Sequence, residues 1–76
     1  MVMKMNYGRI RDLREDHDLS QARAAELVGL HTTTYKRYES GQREIPFDIA
    51  IALAKLYHVS LDFLAGLTND PHGTAY

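Results

Sequence analysis

The chain has 76 residues, no cysteine and a formal charge of −1 at pH 7. A chain of this length forms one domain and buries only about 60% of its unfolded surface, which leaves no room for a catalytic cleft beside a core. The lack of cysteine excludes disulfides, a thiolate nucleophile and a cysteine zinc site, and the hydrophobic content of 45% argues against disorder.

Nothing in the sequence predicts a signal peptide or a membrane span. The first nine residues hold no continuous apolar run and no small-residue cleavage site. The longest apolar stretch, residues 45–61, is interrupted by Asp48, Lys55 and His58 and is too short to cross a bilayer. We therefore expect a cytoplasmic protein with no membrane partner.

The first two helices are predicted on either side of a polar break at residues 16–18. The first runs from about Asn6 to His17, and one face carries, at helical spacing, Ile10, Leu13, Arg14 and His17. Ser20 caps the second helix, residues 21–28. Gly29 follows its end, where a left-handed backbone suits glycine.

The third helix covers residues 32–40 and ends at Gly41. Either His31 or Thr32 caps it, and threonine is the better oxygen acceptor of the two. Two helices joined by a tight glycine turn form a helix-turn-helix, the unit that presents its second helix to a DNA major groove.

Two further helices are predicted in the last third. Pro46 suits the first turn of the fourth helix, which runs to about Tyr57. Its wide apolar face contains Phe47, Ala50, Ile51, Leu53, Ala54 and Tyr57. Ser60 caps a short fifth helix, residues 61–65, and Gly66 ends it.

Phe63 and Leu67 are four residues apart, on one side of this fifth helix. They either cover the edge of the core or form an exposed apolar patch that marks a dimer interface. The domain is predicted to comprise residues 1–67, because the tail 68–76 is rich in turn formers and is expected to be mobile.

Charge is distributed unevenly along the chain. Residues 1–18 are neutral, residues 19–43 carry +2 and residues 44–76 carry −3. The positive part contains the third helix, and the acidic part should face away from phosphate. The small total predicts modest non-specific affinity for DNA.

Polar side chains of the third helix are the candidates for reading DNA. Arg37 suits bidentate pairing with guanine, and Thr32 and Thr33 suit a thymine methyl group, while Lys36 suits phosphate. Gln21, at the start of the second helix, suits a backbone phosphate. The alternative is that these residues form the solvated face of an ordinary small helix, and spacing alone does not decide between the two.

Arg14 and Glu39 each sit on the apolar face of a helix. A charge at such a position is costly unless it is paired, so we predict an ion pair that joins the first helix to the third. The alternative is that Arg14 extends to solvent and Glu39 stays hydrated.

The sequence contains no pattern that indicates metal binding or catalysis. The histidines do not cluster, so neither a metal site nor a cofactor is predicted. Asp12, Glu15 and Asp16 alternate with arginines on an exposed face, which favours a charge-balanced surface over a catalytic pair. We do not expect an enzyme. His31 is notable because it flanks the proposed DNA face and gains charge at mildly acidic pH.

The residues from Ile10 to Leu67 resemble XRE-type helix-turn-helix proteins, the family of phage Cro and phage repressor DNA-binding domains. The resemblance lies in IRDLRE, LSQARAAELVGL, TTTYKRYESGQREIP and ALAKLYHVSLDFLAGLTND. It implies an all-α, compact five-helix bundle whose helices 2 and 3 form the helix-turn-helix.

The resemblance also implies roles for single residues. Gln21 matches a glutamine that contacts phosphate and braces the recognition helix, and Arg14 with Glu39 matches a buried ion pair of phage repressors. The positions matching those at or near DNA are His31, Thr32, Thr33, Lys36, Arg37, Gln42 and Arg43.

The function expected is a sequence-specific transcriptional repressor that binds double-stranded DNA as a homodimer on a two-fold operator. One alternative is the antitoxin of a toxin–antitoxin pair, which would have a toxin partner, and another is the controller protein of a restriction–modification system. An alternative of a different class is a protein-interaction module that has lost DNA binding, in line with the near-neutral charge.

Overall fold

Five helices, numbered α1 to α5 in chain order, form most of residues 7–73, which are the residues that the computed structural model describes. They are Tyr7–Asp16, Gln21–Leu27, Thr32–Glu39, Phe47–Tyr57 and Leu61–Leu64. No strand occurs within that range, so the predicted all-α bundle of five helices is confirmed. The helices end one residue earlier than predicted, except α4, because the last predicted residue of each is a flanking or cap position.

Serine side chains cap the N-termini of two of the helices. Ser20 Oγ accepts a hydrogen bond from the backbone N–H of Arg23 at 3.0 Å, and Ser60 Oγ accepts one from that of Phe63 at 3.0 Å. Of the two caps predicted for α3, the structure has His31 and not Thr32. The cap is His31, whose backbone is extended and whose side chain makes no capping hydrogen bond, whereas Thr32 is already helical.

Gly29 makes the turn between α2 and α3. Its φ of +75° lies in the left-handed region, and Leu30 N donates to Ala25 O at 2.8 Å across the turn. A Cβ atom built on Gly29 would meet no atom within 4 Å. Glycine is therefore required by the backbone conformation and not by a lack of space.

The core takes side chains from all five helices. Its buried members are Ile10, Ala24, Ala25, Tyr35, Ala50, Leu53, Ala54, Tyr57 and Leu64. The apolar face predicted for α4 is partly wrong, since Phe47 is 62% exposed. Phe47 is the first residue of α4, and the buried part of that helix begins one turn later, at Ala50.

Arg9 connects α1 to the C-terminal segment. Its Nη1 donates to the carbonyls of Phe63 at 2.6 Å and Thr68 at 2.8 Å, and its guanidinium lies 4.1 Å from the Phe63 ring centroid. Ser60 N also donates to Pro71 O at 2.8 Å. Residues 68–71 thus contact the helices. Residues 74–76 of the predicted tail lie outside the described residues, and its mobility stays a prediction.

Phe63 and Leu67 do not share a helix face as predicted. The helix ends at Leu64, Gly66 has a φ of +81°, and Leu67 N returns to Asp62 O at 2.9 Å. Leu67 is 54% exposed beyond the helix, whereas Phe63 is half-buried beneath Arg9.

Candidate nucleic-acid interface

Helix α3 has one buried side and one polar, exposed side. Tyr35 and Glu39, four residues apart, are its buried residues. Thr33, Lys36 and Arg37 are exposed. The candidate base-reading and phosphate-binding side chains of this helix are therefore accessible to a partner.

The other candidate DNA-contacting residues near α3 lie at its two ends. His31 is exposed at the N-cap, next to the half-buried Thr32. At the other end, Gln42 N and Arg43 N both donate to the carbonyl of Arg37, at 3.0 and 3.3 Å. These bonds fold the loop back onto the end of α3 and keep the exposed side chains of Gln42 and Arg43 next to the helix.

The ion pair predicted between Arg14 and Glu39 is present. Arg14 Nε donates to Glu39 Oε2 at 2.9 Å and Nη2 donates to Oε1 at 3.0 Å, which is a bidentate pair. The two side chains are 13% and 5% exposed. Arg14 Nη1 also donates to Leu19 O at 2.7 Å, so the same guanidinium joins α1, the following loop and α3.

Gln21 joins this pair from the first residue of α2. Its Nε2 donates to Glu39 Oε1 at 3.4 Å, and the side chain is half-buried. The amide therefore contacts the residue that pairs α3 with α1. A phosphate contact of Gln21 stays a prediction.

The pKa of Glu39 is lowered from its usual 4.5. Burial opposes ionisation, but the hydrogen bonds from Arg14 and the positive charge of Arg14 outweigh it. The carboxylate is therefore ionised when the protein is folded near neutral pH.

Two tyrosine hydroxyls lie beside this pair, and the sequence did not indicate them. Tyr35 and Tyr57 are 1% and 3% exposed, and both Oη atoms are buried without a hydrogen bond of standard geometry among the described residues. Burial raises the pKa of both, and the proximity of Glu39 raises that of Tyr35 further. A tyrosine on an apolar face looks like any aromatic core residue, so only packing reveals its hydroxyl.

Substitution Tyr35→Phe is expected to leave stability unchanged or to raise it by up to about 1 kcal/mol, because it removes a buried hydroxyl without a partner. Urea denaturation at pH 7 measures this change. A loss above 1 kcal/mol would show that the hydroxyl bonds to Glu39. Since the pKa of Tyr35 is raised in the folded state, wild-type stability is also expected to fall as pH rises above 10, and Tyr35→Phe to lose less.

Within residues 7–73, no group of three histidine or acidic side chains is placed to hold a metal ion. No helix in that range is both long and apolar enough to span a bilayer. The four histidines, all exposed, are His17, His31, His58 and His72.

Comparison with known proteins decides the family. A helix-turn-helix family model of the XRE type matches residues 10–64, which include α2, the Gly29 turn and α3. The chain belongs to the XRE-type helix-turn-helix family. The arrangement of α2 and α3 is therefore that of a helix-turn-helix domain.

Relatives of this XRE-type domain bear the names of transcriptional regulators. The chain is 41% identical over 63 residues to YobD of Bacillus subtilis, named an uncharacterized HTH-type transcriptional regulator, and the match covers 83% of this chain and 56% of that protein. It is 38% identical over 54 residues to RstR, the cryptic phage CTXphi transcriptional repressor of Vibrio cholerae, covering 71% and 49%. The chain spans about half the length of these relatives.

A solved structure has the same fold. The transcriptional regulator from Listeria innocua superposes with a TM-score of 0.75 at 28% identity, covering 88% of this chain and 64% of that one. The XRE-type domain is therefore similar to helix-turn-helix transcriptional regulators in both sequence and fold.

Proposed function

We propose that the chain is a sequence-specific DNA-binding transcriptional repressor, acting in the cytoplasm as a homodimer on a two-fold operator. The observation that carries the proposal is the arrangement of α3. On its buried side, Glu39 forms an ion pair with Arg14 of α1. Thr33, Lys36 and Arg37 are exposed to solvent. A rigidly held helix with an exposed polar side is what entry into a major groove requires.

Each exposed residue has a distinct task in the proposal. Arg37 reads guanine through a bidentate pair, and the threonines Thr32 and Thr33 contact bases near the start of α3. Lys36, Gln42 and Arg43 bind phosphates and fix the register of the helix on the duplex. His31 and Gln21 complete the predicted surface at the starts of α3 and α2.

The repressor role and the homodimer draw on different support. The name of the relative RstR, a phage transcriptional repressor, supports repression. In the homodimer, two recognition helices sit about 34 Å apart, one turn of DNA. Leu67, 54% exposed, is the member of the predicted Phe63 and Leu67 interface that is available to a second copy.

Selection of bound sequences from a random duplex pool tests the proposal. The expected result is an enriched site with two inverted half-sites about 10 base pairs apart, and a complex containing two protein chains. A duplex with scrambled half-sites is the control. Enrichment of a single half-site would contradict the homodimer, and no enrichment would contradict sequence-specific binding.

A second candidate is a protein-interaction module that has lost DNA affinity. The net charge of −1 favours it, because non-specific DNA binding depends on neutralised phosphates. Binding to duplexes that falls with rising salt would contradict this candidate.

A further inference from the structure

His31 occupies the N-cap of α3, but its side chain takes no part in capping. Its backbone is extended, with φ −70° and ψ 147°, and the imidazole makes no capping hydrogen bond. The caps of α2 and α5 differ, because Ser20 and Ser60 each accept a hydrogen bond from the helix backbone. His31 is exposed and directly precedes Thr32 and Thr33, two of the proposed base contacts. The imidazole is therefore accessible at the start of the helix proposed to enter the groove.

The charged groups of the elements packed against α3 are engaged elsewhere. α3 packs against α2 and α1. On α2, Arg23 and Glu26 pair with each other at 2.7 Å. On α1, Arg14 pairs with Glu39, which lies eight residues after His31 and therefore about 12 Å along the helix. The remaining ion pair of α1, between Arg11 and Glu15, is internal to that helix.

α3 itself places no carboxylate next to His31. The positions three and four residues later, which are neighbours on a helix surface, are Thr34 and the buried Tyr35. The next charged side chains along the helix, Lys36 and Arg37, are both cations. Within residues 7–73, no ion pair includes His31. A positive charge on His31 therefore has no compensating partner in the free domain.

A histidine side chain changes charge between pH 5 and pH 8, and the buried groups near α3 do not. The pKa of Glu39 is lowered from 4.5 by the hydrogen bonds from Arg14, and burial raises the pKa of Tyr35 above 10. A DNA duplex carries a dense negative charge that favours a cation placed against it. The missing compensation for a charged His31 would thus come from the duplex.

We propose that His31 makes DNA binding pH-dependent: its imidazole takes up one proton from solvent when α3 binds the duplex, so that binding is tighter in mildly acidic than in mildly alkaline solution. This inference rests on the proposed function, since it names a regulation of the same surface. By linkage, a protein that binds a proton on binding DNA binds DNA more tightly as the proton concentration rises. The pH of the surroundings would then set how much operator is occupied.

The test measures the affinity of the purified full chain for its selected duplex at pH 6 and pH 8, each at several salt concentrations. The wild type is expected to bind about tenfold more tightly per chain at pH 6, the contribution of one hydrogen bond to a charged group. Its slope of log affinity against log salt is expected to be steeper at pH 6 by about 0.9 per chain, the value for one additional neutralised phosphate.

Three variants assign the effect to His31. His31→Gln is expected to lose both the affinity change and the slope change; asparagine is avoided because it would add a side-chain cap. His31→Lys is charged at both pH values, so it is expected to bind at pH 8 about as tightly as the wild type does at pH 6. His72→Gln is the matched control. His72 is also exposed, but it follows Pro71, which contacts Ser60 of the α5 cap, and it should keep the wild-type pH dependence.

The outcomes separate this inference from the proposed function. A wild type that binds the duplex with equal affinity and equal salt slope at both pH values would overturn the role of His31 and leave the proposed function intact. A pH dependence that persists in His31→Gln would assign it to another group and overturn the inference as well. A wild type that binds no duplex at either pH would overturn both claims. Melting temperatures at the two pH values show that each variant is folded.

Discussion

Substitution Glu39→Ala is expected to lower the free energy of unfolding by about 3–5 kcal/mol. It leaves the Arg14 guanidinium, 13% exposed, without the carboxylate that accepts two of its hydrogen bonds. A buried charge without its partner keeps the cost of losing water and gains nothing in return. Urea denaturation at pH 7 measures the loss, and an unchanged midpoint would rule out the buried pair.

Glu26→Ala is the matched control, because it removes a carboxylate from the exposed pair with Arg23. It is expected to change stability by less than about 1 kcal/mol. The double variant Arg14→Met, Glu39→Leu is a second control. It removes both charges and fills their space, so it is expected to recover most of the stability that Glu39→Ala loses.

The same pair makes stability depend on pH. Because the pKa of Glu39 is below 4.5 in the folded state, its ionisation contributes stability at higher pH that is lost as pH falls through the folded pKa. Between pH 7 and pH 3, the wild type is therefore expected to lose more stability than Glu39→Gln. Parallel losses in the two proteins would show that Glu39 does not titrate differently on folding.

Substitution Arg37→Ala is expected to cost about 1–3 kcal/mol of binding free energy on the selected site and to relax specificity at one base pair. Arg37 is exposed on α3, and its backbone carbonyl, not its side chain, holds the following loop. The substitution is therefore expected to remove the proposed base contacts without disturbing the fold. Gel-shift titrations against the selected duplex and its single-base variants measure both effects.

Two further variants separate base reading from charge. Lys36→Ala is expected to weaken all duplexes alike and to make the salt slope shallower by about 1, as loss of a phosphate contact does. Arg37→Lys keeps the charge and loses the fork, so it should show the relaxed specificity of Arg37→Ala. If Arg37→Ala weakened every duplex equally, Arg37 would be a phosphate contact.

The buried pair connects stability to function through the placement of α3. Arg14 on α1 and Gln21 on α2 both contact Glu39, so three helices meet at one carboxylate. Thr33, Lys36 and Arg37, the proposed DNA contacts, are exposed on the same short helix. A variant that removes the hydrogen bonds from Arg14 to Glu39 is therefore expected to lose DNA affinity as well as stability.

Much of the fold and part of the candidate site could be predicted from residues close together in the chain. Helix bounds follow from apolar spacing, serine caps and glycine stops, all of which act over four residues or fewer. The pair of Arg14 with Glu39 was also predicted, although 25 residues separate them, because a charge on an apolar helix face requires a partner. The sequence did not choose between His31 and Thr32 as the cap of α3, since His31 takes the cap position through an extended backbone without a side-chain hydrogen bond.

The sequence by itself determined the five helices, the glycine turn and the family, because capping, periodicity and turn formation are properties of neighbouring residues. Only the tertiary structure decided which polar groups contact one another in the interior of the domain. Packing places Arg9 against Phe63, 54 residues later in the chain, and buries the hydroxyls of Tyr35 and Tyr57. It also forms a surface cleft lined by Arg11, Arg14, Gln21, Glu39 and Ser40. These contacts depend on how helices pack, and no local pattern records which side chains packing brings together.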